Sequence, residues 1–597
     1  MINYLRVVFV FIIVSLFIQS CRGKIVKEKA DLVLINGIVA TVEESNPAAE
    51  AIAVKEGKIF AIGSTNEIKN YIGESTQIID LKGKFIMPGF IESHAHFLGL
   101  GNSRQILDLR NAKNWDEVIE IVAEAAEKAQ PGEWIIGRGW HQEKFSPEPN
   151  PNVNGYPIHN ELSKASPENP VILFHASGHA IFANAKAMKN AGINRNTANP
   201  TGGTIVRDSS GNPIGVFEEN AEQLVKKYYD EYLAKRTPGQ IRADFIKQIQ
   251  LASEECLKNG VTSFHDAGET FEIIDLMKEL ADSNKIPIRL NAMIGESLSN
   301  IKKKLLENSV SGKPTKNYFL IGYGKNFLTV RSIKQYIDGA LGSRGAWMLE
   351  PYNDLPNHYG SNVTSIDELK ETSLLALKNG FQMNIHAIGD RGNREVLNLY
   401  ESIFKKHPGE WESSEGVHSD IPTGKNLRWR IEHAQHISAQ DIPRFAELGV
   451  IAAMQGVHST SDAAFVTERL GDKRAEEGAY AWKKLIKSGT TICNGTDAPV
   501  EDIDPIKSFY SSVTRKLPDG SEFYPLQKMS RLEALKSYTI NGAYASFEEK
   551  IKGSIKVGKL ADLVVLSNDL LNCSDDDILK TRVLYTIVGG KVLYKAN

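Results

Sequence analysis

The sequence predicts an α/β protein: a (β/α)₈ TIM barrel with a small β-sandwich domain built from both termini. Three observations predict this fold. Strands alternate with amphipathic helices through the long middle of the chain. Short apolar strands with glycine turns occupy both ends, and His or Asp residues follow several apolar strands, where the mouth of a parallel barrel lies. The length, 597 residues, suits a large barrel with a satellite domain.

Residues 1–21 have the pattern of a lipoprotein signal peptide. A short basic segment precedes an apolar run over residues 7–18, which is too short for an ordinary membrane span. The run ends in the sequence IQSC, which resembles a lipobox in which Cys21 receives the lipid. The alternative is an uncleaved anchor helix with an incidental cysteine. Both interpretations place the protein in the cell envelope, facing the periplasm or exterior and held to a membrane.

Residues 31–87 and 550–597 form the expected composite β-sandwich. Strand patterns cover residues 31–37, 51–57, 58–63 and 78–81, and the same pattern returns at residues 558–566 and 583–594. Two β segments that flank a long α/β region are best explained as one small domain.

Residues 88–549 form the expected barrel. We predict eight barrel strands, ending near Ser93, Phe264, Ala292, Ile337, Ile385, Ile431, Ala453 and Asn494. Helical patterns at residues 243–258 and 365–378 each end shortly before a glycine, as barrel helices do. The surplus length lies mainly at residues 99–238, a large insertion after barrel strand 1 with strand-like runs of its own. As an extended βα loop, it is expected to shape the substrate pocket.

The candidate metal ligands lie at the ends of predicted barrel strands. His94 and His96 are two residues apart on a strand, so both side chains point to one side. His386, His433 and Asp497 follow the fifth, sixth and eighth strands. Any one of them is weak evidence, since a core histidine or a loop aspartate is an ordinary feature. Their repetition on one eightfold framework indicates a metal site.

The donor set suggests the chemistry. Nitrogen and oxygen ligands without cysteine suit Zn²⁺ first, and Mn²⁺ or Fe²⁺ next. A bound dication lowers the pKa of water toward about 7 and so makes hydroxide available. Asp497 can also act as the catalytic base, taking the proton of the attacking water and passing it to the leaving nitrogen. No GxSxG nucleophile elbow or GxxxxGK[ST] phosphate loop is present.

Net charge and cysteine spacing limit the kinds of partner and site that the chain can have. The formal net charge of −3 gives no basis for nucleic-acid binding, so the expected partner is a small molecule, and the leaving nitrogen of the chemistry above makes it an amide substrate. The four cysteines match neither a disulfide framework nor a CxxC metal site. The oligomeric state stays open, with a homodimer as one option.

Five sequence motifs occur together in the barrel region: PGFIESHAH at 88–96, DGALGSRGA at 338–346, NIHAIGD at 384–390, RIEHAQ at 430–435 and GTDAP at 495–499. Near the C-terminus, residues 558–566 read GKLADLVVL. Together these motifs resemble the amidohydrolase superfamily and, within it, the N-substituted formamide deformylase-like branch, amidohydrolase family 3.

The resemblance implies a binuclear centre and some pocket residues. It implies His94 and His96 on the first metal, His386 and His433 on the second, and Asp497 closing the site. Lys334 stands where the family carries a carbamylated lysine that bridges two metals, expected here as two Zn²⁺ ions. The resemblance also implies substrate contacts for Trp140 and His179, although His141 stands where an acidic residue is expected. From its loop position, Arg344 is a further candidate for substrate binding.

Two alternatives stay open at the level of function. The first is a non-catalytic, small-molecule-binding lipoprotein, whose signature would be a missing ligand. The second keeps the enzyme and changes the bond, because the same groups hydrolyse cyclic amides, lactones, other esters or phosphoesters. The preferred prediction is hydrolysis of a carbon–nitrogen amide bond other than a peptide bond, in an N-acyl or N-formyl substrate.

Overall fold

The computed structural model describes residues 28–45, 48–142, 145–175, 180–201, 203–307, 318–407 and 424–596, and the short strands Ser309–Val310 and Lys313–Pro314. Predictions about the signal peptide, Cys21 and His179 therefore lie outside the described residues. The chain divides into two compact units. The first comprises the chain up to Ala95 and from Glu255 onward, and the second comprises His96–Glu254.

Eight parallel strands of the first unit form a barrel, which confirms the predicted fold class. Each strand pairs with the next along the chain. Between the last strand and the first, the backbone N–H of Asp497 donates to the carbonyl of His94 at 2.9 Å. The strands are β1 (Phe90–Ala95), β2 (Val261–Glu269), β3 (Arg289–Ile294), β4 (Leu328–Tyr336), β5 (Gln382–Ala387), β6 (Arg430–His433), β7 (Ile451–Gln455) and β8 (Ile492–Gly495).

Local sequence signals set the helices that follow these strands. Ser365 caps the helix Ile366–Lys378 by accepting a hydrogen bond from the backbone N–H of Glu368, and the chain turns at Gly380 with φ +77°. The other main helices of this unit are Phe271–Asp282, Leu298–Glu307, Asp390–Lys406, Ile442–Leu448, Ala463–Leu470, Asp472–Gly478, Trp482–Lys487, Pro505–Thr514, Arg531–Ser537 and Ile540–Ala545.

The two ends of the chain share a sheet in the first unit. Leu563–Leu566 pairs antiparallel with Phe85–Pro88, and Val564 lies opposite Met87. That six-stranded sheet runs in the order Lys591–Lys595, Val583–Val588, Leu563–Leu566, Phe85–Pro88, Ile38–Ala40, Ala48–Ala49. A four-stranded sheet has the order Lys58–Gly63, Ala51–Lys55, Leu32–Ile35, Gln77–Asp80. Buried side chains of both sheets belong to one apolar core.

The second unit contains the segment predicted as an insertion, residues 99–238. Its six-stranded sheet has the order Gly203–Arg207, Pro213–Glu219, Ala180–Ala183, Val171–His175, Ile135–Trp140, Leu107–Asp108. Its helices are Phe97–Ser103, Trp115–Lys128, Asn160–Ala165, Ala185–Asn190 and Gln223–Ala234, and the helix Pro238–Lys258 begins within it. Among the described residues of the whole chain, no helix has both the length and the apolar character required to cross a membrane.

Candidate metal centre

Three predicted ligands converge at the carboxyl ends of β1, β6 and β8. His94 lies in β1, His433 ends β6 and Asp497 follows β8, and all three are buried. Each offers one ligand atom, and these atoms lie within 4.8 Å of one another. The Nε2 atom of His94 is 3.6 Å from Oδ1 of Asp497, and the ring centres of His94 and His433 are 4.6 Å apart. The spacing suits donors that surround one cation.

His386 extends this group from β5. Its ring centre is 4.5 Å from that of His433. Its Nε2 atom makes no hydrogen bond among the described residues and lies 3.5 Å from Oδ1 of Asp338. The structure therefore places four of the predicted ligands at one end of the barrel.

Lys334 lies inside the barrel, in β4, as its position in the sequence predicts. Only 1% of its surface is exposed, and its Nζ atom makes no hydrogen bond among the described residues. Its Nζ atom lies over the ring of Tyr336, 4.5 Å from the ring centre. Burial lowers the pKa of Lys334 to about 8, although the carboxylates of Glu432 and Asp497 oppose that shift.

Asp338 lies beyond the end of β4 and organises the backbone around it. Its carboxylate accepts hydrogen bonds from the backbone N–H groups of Trp347, Ile388 and Gly389, at 2.9, 3.0 and 2.8 Å. Burial nevertheless raises the pKa of Asp338 to about 7. These contacts make Asp338 an organiser of the loop after β4, while Lys334 points into the barrel.

The histidines of the site are held neutral. Burial, reinforced by the charge of Lys334, lowers the pKa of His94 to about 4 and that of His386 to about 3. Burial also holds the pKa of His433 well below its usual value. A neutral imidazole keeps a lone pair on one nitrogen, which is the form that binds a metal.

The backbone is unusual at two of the ligands. His433 has φ +73° and Asp497 has φ +61°, values that L-residues other than glycine rarely adopt. Such conformations cost on the order of 1–3 kcal/mol and persist where the surrounding structure enforces them. At His433 and Asp497 these conformations change the direction of the side chain from the one that regular alternation along a strand would give.

Sequence reasoning missed the groups that hold these ligands. Gln455, at the end of β7, faces His433 with Oε1 2.8 Å from Nδ1, and its own amide donates to the carbonyl of Ala453. Glu432 contacts Nδ1 of His94. A signal was available for Glu432, because Arg430 and Glu432 are two apart on β6 and must point to the same side as each other.

The remaining predicted residues have separate positions. His96 lies in the second unit at the N-cap position of the helix Phe97–Ser103, and its ligand role stays a prediction. Arg344 pairs with Asp354 at 2.6 Å, and its contact with substrate also stays a prediction. Trp140 is 0% exposed within the core of the second unit, where its indole N–H donates to the carbonyl of Leu173. That position leaves no exposed surface on Trp140 to touch a substrate.

The donors fit a divalent cation. Three buried neutral imidazoles and a carboxylate are the ligand types that Zn²⁺ and related ions take. Buried polar atoms in proteins almost always have a partner. Nε2 of His386 and Nζ of Lys334 have no hydrogen bond among the described residues, as expected for groups that face a ligand.

Comparison with known proteins identifies the family. The profile described as the amidohydrolase family matches residues 77–594. The match includes the whole barrel and the candidate metal ligands. The chain therefore belongs to the amidohydrolase family, and the predicted resemblance to amidohydrolase family 3 is confirmed.

Individual relatives extend over nearly the whole chain. Protein LONG AFTER FAR-RED 3 of Arabidopsis thaliana is 33% identical, covering 95% of this chain and 92% of its own. N-substituted formamide deformylase of Arthrobacter pascens is 26% identical, covering 95% and 98%. The crystal structure of an uncharacterized metal-dependent hydrolase from Pyrococcus furiosus superposes with a TM-score of 0.67 at 26% identity, covering 91% of this chain and 100% of that one. The protein is thus a metal-dependent hydrolase of this family.

Proposed function

We propose that the protein hydrolyses a carbon–nitrogen amide bond other than a peptide bond, in an N-formyl or N-acyl small molecule. The observation that carries the proposal is the convergence of His94, His386, His433 and Asp497 at one end of the barrel. The likeness to N-substituted formamide deformylase supports the choice of bond. Cyclic amides, lactones and other esters are the second candidate class, since hydroxide attack on any polarised carbonyl uses the same groups.

We further propose that the centre holds two Zn²⁺ ions, with Mn²⁺ or Fe²⁺ as alternatives. His94, His386, His433 and Asp497 would supply the ligands, and a carbamylated Lys334 would bridge the ions. Support for the bridge comes from the burial of Lys334 and from its Nζ, which makes no hydrogen bond among the described residues. When bound, a divalent cation supplies Lewis acidity, which polarises a carbonyl and lowers the pKa of water toward about 7.

The chain's own residues then move the proton. Support for this role comes from the position of the Asp497 carboxylate, which is in reach of the ligand atoms of His94 and His433 and would therefore lie beside a water held at the centre. In the proposed reaction, Asp497 takes the proton of that water and passes it to the leaving nitrogen, which departs as a neutral amine. His94, His386 and His433 are neutral and orient the centre without changing charge.

The experiment that tests the proposal is a substrate screen of the chain lacking residues 1–21. The protein is stripped of metal, reloaded with Zn²⁺ or Mn²⁺, and assayed on N-formyl amines, N-acyl amines, cyclic amides and lactones. Metal-dependent release of amine from the N-formyl or N-acyl set supports the proposal. Turnover of lactones alone would favour the second candidate class, and a metal-loaded protein that hydrolyses none of the four classes would contradict the assignment.

A further inference from the structure

A buried carboxylate links two strands beneath the metal centre. Glu432 lies in β6 with 0% exposure, between Arg430 and the ring of His94. Its Oε1 atom is 2.7 Å from Nε of Arg430, and its Oε2 atom accepts a hydrogen bond from Nη2 of Arg430 at 2.9 Å. The same Oε2 atom accepts a hydrogen bond from Nδ1 of His94.

The ion pair with Arg430 is itself fixed in place. Nη2 of Arg430 donates to the carbonyl of Ser93 at 2.6 Å, and Nη1 lies 3.2 Å from Nδ1 of His265. The guanidinium of Arg430 contacts both carboxylate oxygens of Glu432, and a buried guanidinium requires an anionic partner. Glu432 is therefore a fixed anion held at one end by Arg430.

A fixed anion at Nδ1 decides the tautomer of His94. A carboxylate accepts hydrogen bonds and donates none, so Nδ1 must carry the proton and Nε2 must keep the lone pair. Nε2 is the atom that lies 3.6 Å from Oδ1 of Asp497, on the side of the metal centre. By contrast, Nδ1 of His433 faces Gln455, a neutral amide.

We propose that Glu432 is a positioning residue that holds His94 in the Nδ1–H tautomer and makes its Nε2 a stronger donor to a divalent cation. This inference rests on the proposed metal centre and needs no knowledge of the substrate. A carboxylate behind a histidine ligand fixes the ring orientation and raises its basicity, and its loss typically weakens metal affinity 10–100-fold. Because His94 faces the Glu432 carboxylate and His433 faces the neutral amide of Gln455, His94 is the more basic imidazole of these two.

The test compares Glu432→Gln with a matched control, Glu549→Gln, in the full chain. Glu549 pairs with Arg428, just before the start of β6, through contacts of 2.8 and 3.0 Å. Zinc affinity of metal-free protein is measured by competition with a chromogenic chelator, and the His94 tautomer is read from ¹⁵N chemical shifts of histidine-labelled protein. Glu432→Gln is expected to lose about 10–100-fold in zinc affinity and part of the Nδ1–H tautomer, while Glu549→Gln keeps both within about twofold.

Failure of the role of Glu432 and failure of the proposed function give different results. Wild-type zinc affinity and an unchanged tautomer in Glu432→Gln would overturn the inference and leave Glu432 as a structural partner of Arg430. If Glu432→Gln does not fold, Glu432→Asp keeps the charge against Arg430 but is one methylene short of His94, and the same loss of affinity is expected. The wild-type chain could show the predicted tautomer and tight zinc binding but no amide hydrolysis. That result would contradict the proposed function and leave the role of Glu432 intact.

Discussion

Asp497 combines three roles that constrain one another. Its backbone N–H donates to the carbonyl of His94 between β8 and β1, its φ is +61°, and its carboxylate belongs to the ligand group. The hydrogen bond and the backbone conformation fix where the carboxylate points. A substitution of Asp497 that keeps the side-chain shape should therefore preserve the fold and abolish proton transfer by the carboxylate.

We predict that Asp497→Asn folds and loses turnover. The amide has nearly the same size but does not accept a proton at neutral pH, so the proposed base is gone. The value of kcat is expected to fall by more than tenfold, equal to a barrier increase of more than about 1.4 kcal/mol. Steady-state kinetics and circular dichroism measure the two effects. A variant that keeps more than about a tenth of the wild-type kcat would refute the assignment of Asp497 as the base.

Lys334 and Asp338 make a second pair of contrasting residues. Lys334→Ala is expected to lose most bound metal and activity, with partial rescue by a short carboxylic acid that occupies the space of the bridge. Asp338→Ala is expected to keep its metal and to lower the melting temperature, because three backbone N–H groups lose their acceptor. Metal analysis and thermal unfolding measure these outcomes. The reverse pattern in metal content would move the bridge to Asp338.

The positions of single ligands were more predictable than their surroundings. His94, His386, His433 and Asp497 follow apolar strands, and the barrel brings such strand ends together. Glu432 was not singled out, because its contact with His94 of β1 depends on three-dimensional proximity, and its spacing from Arg430 on β6 was the one local signal. Trp140 was assigned to the pocket by family resemblance, whereas its neighbours place it in an aromatic core with Trp115 and Phe182.

At the level of elements, seven of the eight barrel strands end within two residues of the sequence prediction. The exception is β2, which continues to Glu269, five residues beyond the predicted end at Phe264. The extra residues, HDAGE at 265–269, are mostly polar, a composition that favours a loop. Four of the five are buried and Gly268 is half-buried, and the pairing with β3 shifts register between Asp266 and Glu269. Polar residues therefore do not by themselves mark the end of a strand, since those of β2 lie within it.

A buried ion pair joins the barrel to the terminal β-sandwich within the first unit. Arg289, at the start of β3, donates from Nε and Nη2 to the carboxylate of Asp562 at 2.6 and 2.9 Å. The backbone N–H of Gly589 donates to the same carboxylate at 2.8 Å. Asp562 precedes the strand Leu563–Leu566, so one side chain fixes the sheet against the barrel.

We predict that Asp562→Ala destabilises the first unit by about 3–5 kcal/mol, because it leaves Arg289 as an uncompensated buried charge. Urea unfolding followed by circular dichroism measures the change. The control is Glu371→Ala, which removes an exposed pair with Lys302 and is expected to cost less than about 1 kcal/mol. Equal shifts for the two variants would show that the Arg289–Asp562 pair contributes no more than a surface pair.

For the whole molecule, we propose a lipid anchor at Cys21 in the cell envelope. Cys21→Ser is expected to release the protein from membranes or to leave the signal peptide uncut, because serine has no thiol to accept the lipid. Cys573→Ser, at a half-buried cysteine, serves as the control and is expected to fractionate like the wild type. Membrane fractionation and the mass of the mature N-terminus measure both. An unchanged distribution and mass for Cys21→Ser would contradict the anchor.

The shared sheet at the ends of the chain governs the order in which the protein is completed during synthesis. The strand Phe85–Pro88 cannot pair with Leu563–Leu566 until that strand emerges, after the entire barrel has been translated. At about 5–20 residues per second this delay is on the order of tens of seconds. For that time Phe85–Pro88 pairs only with Ile38–Ala40 and has one open apolar edge, the kind of segment that chaperones bind and that aggregates when chains are crowded. Removal of Leu563–Leu566 and the strands after it would make that exposure permanent.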